Sequence, residues 1–123
     1  MNFDEARQKH AEWRVKFRSA ITKKETLDPA AIAKDDRCDL GKWLHGEAKA
    51  RYSALPAYSE CVQRHAHFHV EASKVAEQIN AAKYEEAQAL LAMGSAFSKA
   101  SASIGTALDR LEQSAGSGSG SGA

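Results

Sequence analysis

Residues 58–79 read YSECVQRHAHFHVEASKVAEQI. Tyr58, Cys61, Val62, His65, Phe68, His69, Ala72, Val75, Ala76 and Ile79 step by three and four, so they share one face of an α-helix. The stripe is apolar except near its middle, where His65 and His69 sit one turn apart. A second stripe precedes it: Phe3, Ala6, His10, Trp13, Phe17 and Ala20 predict a helix of about 20 residues, with Asn2 or Asp4 as its cap. A third stripe, Tyr84, Ala87, Leu90, Leu91, Gly94, Phe97, Ser101, Ile104, Leu108 and Leu111, predicts one more long helix with small residues on its packing face.

Residues 26–56 are punctuated instead. Asp28-Pro29 reads as an N-cap followed by the first helical residue of a short helix through Ala33. Asp35 or Asp36 is expected to cap a further short helix over Cys38 to Leu44, closed by Gly46. Glu47 to Tyr52 continues as a helical turn, and Pro56 opens the long central helix. Nothing alternates with period two, so no strand is expected. The fold expected is all-α: an antiparallel four-helix-type bundle with three long helices and a broken short-helix segment carrying Cys38. Residues 2–114 form this one domain, and residues 115–123, an alternating Gly/Ser run, form a flexible tail.

Composition narrows the function. The chain has 123 residues with 17 Lys+Arg against 16 Asp+Glu, a formal net charge of +1, so it lacks the basic surplus of a nucleic-acid binder. Two cysteines, Cys38 and Cys61, are too few for a disulfide scaffold. No apolar run approaches the roughly 18 residues of a membrane span. A cytoplasmic setting without membrane insertion is expected. The enzyme motifs are missing too: the segment around His65 lacks the glutamate of H-E-x-x-H, and there is no P-loop, dinucleotide fingerprint or nucleophile elbow. The chain is expected not to be an enzyme.

The five histidines divide by position. His65, His69 and His10 replace hydrophobes on two core stripes, which is costly if each needs its own partner. One shared metal ion resolves all three. Cys38 at a helix start, where N–H groups favour a thiolate, completes a tetrahedral set of three His and one Cys suited to Zn²⁺. Three hydrogen-bonded core histidines are the alternative. His67 points away from His65, and His45 beside Gly46 is expected to face solvent. Cys61 reads as a small hydrophobe or, one turn from the metal, as a resolving thiol; Trp13 and Trp43 read as core anchors.

His10 with Trp13, then Cys38-Asp39-Leu40-Gly41-Lys42-Trp43-Leu44, then His65-Ala66-His67-Phe68-His69 resemble the chemoreceptor zinc-binding domain family over about residues 5 to 110. Its early helix His, C-x-L/F-G-x-W element and H-x-x-F-H element occur here in order. The resemblance implies a helical-bundle homodimer whose zinc ligands map to His10, Cys38, His65 and His69. It implies a cytoplasmic bacterial sensory module controlling a chemoreceptor or diguanylate cyclase output domain. Zinc and oxidants such as hypochlorous acid are the implied signals, with zinc-bound Cys38 as the redox-reactive group. The segment carrying Cys38, bounded by Asp35, Asp36 and Gly46, is expected to be the least anchored and to move when the thiolate leaves the metal. A structural or zinc-storage module without redox signalling and a metal-free helical dimerisation module are the other two classes.

Overall fold

The computed structural model describes residues 2–116 in full and residues 117–122 as backbone. Among the described residues every element is helical: α1 (Phe3–Lys23), α2 (Pro29–Ile32), α3 (Asp39–His45), α4 (Glu47–Tyr52), α5 (Pro56–Asn80), α6 (Tyr84–Leu91) and α7 (Ala96–Gly122). The Gly/Ser tail expected from residue 115 lies, beyond Gly116, outside the fully described residues.

Local chemistry sets the boundaries. Asn2 caps α1 by accepting the Glu5 N–H at 2.8 Å while its amide reaches the Glu5 carboxylate at 3.3 Å, satisfying orphan groups at the helix start. Lys24, in the left-handed region at φ 55°, ends that helix, and the next N–H returns to Ala20 O at 3.0 Å. Asp28 and Pro29 open α2 as expected, the Asp28 carboxylate accepting Ala31 N–H at 3.2 Å. Asn80, the last residue of α5, holds the preceding connection with a two-way bond to the Leu27 backbone, both arms 2.7 Å.

Two boundaries differ from expectation. The third stripe is not one helix: α6 stops at Leu91 and α7 begins at Ala96. Gly94, at φ +85°, takes a conformation outside the helix. Ser95 then caps α7, its hydroxyl donating to Leu90 O at 2.6 Å and accepting Ser98 N–H at 3.0 Å. The cap of α3 is also neither Asp35 nor Asp36 but Cys38 itself, whose sulfur accepts Gly41 N–H at 3.2 Å.

The long helices α1, α5 and α7 pack around two separate apolar clusters. One gathers Ala6 of α1, Leu40, Trp43 and Leu44 of α3, Cys61 of α5, and Ile104, Leu108 and Leu111 of α7. The other gathers Phe17 of α1, Phe68, Val75 and Ile79 of α5, Leu91 of α6 and Phe97 of α7. Phe97 meets Phe17 and Phe68 with ring centroids 5.7 and 5.3 Å apart, contacts each worth about 1 kcal/mol beyond their burial. Between the clusters all three helices carry polar residues at one level: His10, His65, His69 and Ser101. No helix among the described residues is long and apolar enough to cross a membrane.

Candidate metal centre

The polar level is where ligand atoms converge. Helical spacing stacks His65 and His69 on α5, and both are 1% exposed. Their Nε2 atoms lie 3.0 Å apart. Cys38 Sγ stands 3.4 Å from His65 Nε2 and 3.3 Å from His69 Nε2. All three ligand atoms therefore fall within 4.8 Å of one another. A tetrahedral zinc with its usual bond lengths needs N···N of about 3.3 Å and S···N of about 3.6 Å. The triangle is only a few tenths of an ångström tighter than one face of that tetrahedron. The donors fit the ion.

Cys38 reaches this point because α3 is held from below and behind. Leu40, Trp43 and Leu44 are buried in the first cluster, and the Tyr58 hydroxyl donates to Leu44 O at 2.7 Å. Gly41 passes so close to the preceding turn that a Cβ there would stand 1.8 Å from Asp35 O. His45 returns from the far end of α3 to Asp35 at 3.1 Å. Within the segment expected to be the least anchored, α3 is therefore held by its buried side chains. Residues 33–38, between α2 and α3, lie outside a helix and are tied to α3 through Asp35 and Cys38.

The histidines differ in how their second nitrogen is used. His69 Nδ1–H donates to Ile32 O at 2.7 Å, so its Nε2 presents a lone pair to the site. His65 Nδ1 is buried without any partner. That orphan costs about 1–3 kcal/mol in whichever tautomer the ring adopts, and a metal at Nε2 would fix it as an Nδ1–H donor. A backbone carbonyl such as that of Ile32 leaves no residue-type signal, so the sequence offers no way to foresee this partner.

His10 lines the same cavity of about 440 Å³ as Cys38, His65 and His69, together with Trp13 and Ile32. Its nitrogens are not in the tight triangle. Nε2 instead bonds Ser101 Oγ of α7 at 3.0 Å, and the ring lies against Phe68 with centroids 4.3 Å apart. Trp13, expected as a core anchor, is half-buried with its ring edge-on to His69 at 5.4 Å. His67 is exposed, as is His45, whose Asp35 partner was not foreseen. Cys61 is fully buried in the first cluster, and burial pushes its thiol up to about 12, so it is packed as a hydrophobe.

Electrostatics make the site neutral without a cation. Burial pushes His65 down to about 3, helped by the charges of His69, His10 and His45, and pushes His10 down to about 4. Burial also lowers His69, opposed by the Ile32 carbonyl and Asp35. For Cys38 burial outweighs the helix N–H groups of Gly41 and Leu40 and raises the thiol. The helix start alone does not make a thiolate; a bound cation would.

These shifts carry a pH dependence. His10 and His65 have folded values below the unfolded 6.5, so the unfolded chain binds more protons as pH falls. Their contribution is complete above pH 6.5 and is lost on acidification. The metal-free chain is expected to lose about 2 kcal/mol for each of the two between pH 7 and pH 5. Urea titrations at the two values check this, and equal midpoints would contradict it.

With this geometry in place, residues 10–76 match the chemoreceptor zinc-binding domain family, more than half of the 123-residue chain. No curated protein and no solved structure matches.

Proposed function

This chain belongs to the chemoreceptor zinc-binding domain family, and on that premise we propose that it is a cytoplasmic sensory domain holding one Zn²⁺ through His10, Cys38, His65 and His69. The convergence of Cys38 Sγ with His65 Nε2 and His69 Nε2 carries the proposal. A soft thiolate with imidazoles selects zinc over the hard oxygen-loving cations. With His10 as fourth donor the site is closed, leaving no position for an activated water, so the domain senses and does not catalyse.

The sensing chemistry belongs to Cys38. As a metal thiolate it would be the nucleophile, in a cavity it lines together with His10, His65 and His69. Hypochlorous acid oxidises it by two electrons: the sulfur takes the oxygen to become a sulfenic acid, and the chlorine leaves as chloride. Cys38 would then no longer offer a thiolate, the hold on the cation would weaken, and the non-helical turn 33–38 would shift. A homodimer carries that change to the output domain of a chemoreceptor or diguanylate cyclase.

Elemental analysis is expected to give one zinc per chain. Hypochlorous acid at one equivalent is expected to release zinc and leave a sulfenic acid at Cys38 detectable by mass spectrometry. Full zinc occupancy with Cys38 oxidised, or loss of zinc with Cys38 intact, would leave a structural or storage site instead. Protein purified free of zinc that cannot take it up would leave a metal-free helical module.

A further inference from the structure

Ser101 of α7 hydrogen-bonds a candidate ligand, and it lies on the third stripe among hydrophobes. It bonds His10 Nε2 at 3.0 Å, across the boundary between α1 and α7. A histidine ligates metal through one ring nitrogen while the other is held by a hydrogen bond that fixes tautomer and orientation. His69 has that arrangement through the Ile32 carbonyl. His10 has a related arrangement with the nitrogens exchanged: Nε2 is taken by a hydroxyl, which leaves Nδ1 as the nitrogen available to a metal, while neither nitrogen belongs to the tight triangle.

We infer that Ser101 is a positioning residue for the metal centre, accepting His10 Nε2–H so that His10 coordinates zinc through Nδ1 while His65 and His69 coordinate through Nε2. This rests on His10 being the fourth ligand. It also gives α7, which supplies no ligand, a direct tie to the metal. Loading the site then fixes the α1–α7 contact that Ser101 and His10 make, and α7 is the helix that continues toward the end of the described chain. The hydroxyl is suited to the task because it rotates to follow the ring, whereas a backbone carbonyl is fixed.

Three measurements on the full chain test the assignment with zinc alone as the probe. In ¹⁵N-detected imidazole spectra of the zinc-loaded wild type, His10 is expected to be metal-bound at Nδ1 and protonated at Nε2; metal-bound Nε2 would overturn the inference outright. Ser101→Ala is expected to weaken zinc binding about tenfold with helix content unchanged, and Ser101→Thr to restore it. Zinc affinity in Ser101→Ala equal to or above that of wild type would overturn the positioning role, showing that the serine competes with the metal. His10→Ala binding zinc as tightly as wild type would remove the four-ligand set itself, a separate failure that leaves the Cys38, His65 and His69 triangle standing.

Discussion

Gly41→Ala is expected to destabilise the domain by about 3 kcal/mol and to abolish tight zinc binding in the same step. A Cβ at this position would stand 1.8 Å from Asp35 O and 3.1 Å from Asp36 Cα, both backbone atoms that cannot rotate aside. Relief requires α3 to move away from the turn before it. Leu40, Trp43 and Leu44 are buried against α5 and α7, so that movement opens the first apolar cluster. It also carries off the Gly41 N–H that holds Cys38 Sγ at 3.2 Å. Gly105→Ala is the control: nothing lies within 4 Å of its Cβ position, and removing a mid-helix glycine is worth about 1 kcal/mol of added stability. Thermal unfolding and competitive zinc titration read the two effects. A Gly41→Ala protein with wild-type melting temperature would refute the close approach on which the Cys38 geometry depends.

The second large effect separates two ligands that look alike in sequence. Replacing either His65 or His69 by leucine is expected to weaken zinc binding on the order of 10²–10³-fold, each donor carrying its share of a structural zinc's binding energy. Their metal-free stabilities should move in opposite directions. His65→Leu removes the unpartnered Nδ1 from a fully buried position and is expected to raise the stability of the zinc-free domain by about 1 kcal/mol. His69→Leu strands the Ile32 carbonyl at the end of α2 and is expected to lower it by about 1–2 kcal/mol. Chemical denaturation in the presence of a chelator resolves the signs. Equal destabilisation by both would mean that the orphan nitrogen carries no cost.

Much of this molecule could be read from residue spacing, because helices that bury one face write a period of 3.6 into the sequence. Asn2, Asp28-Pro29 and Pro56 announced three helix starts through hydrogen-bonding and φ preferences that act within four residues. The Gly94 break escaped because glycine at a stripe position fits the period equally well whether the helix continues or stops. Cys38 as the cap of α3 escaped because cysteine is not among the usual capping residues, and the nearby aspartates are. At the site, His65 and His69 were fixed by their spacing on a single helix. The places of Cys38 and His10 depend on packing between helices, which local periodicity does not encode.

The division of the apolar interior into two clusters has a mechanical meaning. A bundle with a continuous core resists bending everywhere along its length, since every layer shares side chains with the next. Here α1, α5 and α7 each pass from one cluster to the other through a level made of imidazoles, a thiol and a hydroxyl. Such a level is joined by hydrogen bonds and ring contacts in place of continuous apolar packing. A metal ion held by Cys38, His65 and His69 would add bonds at this level, between the two apolar clusters.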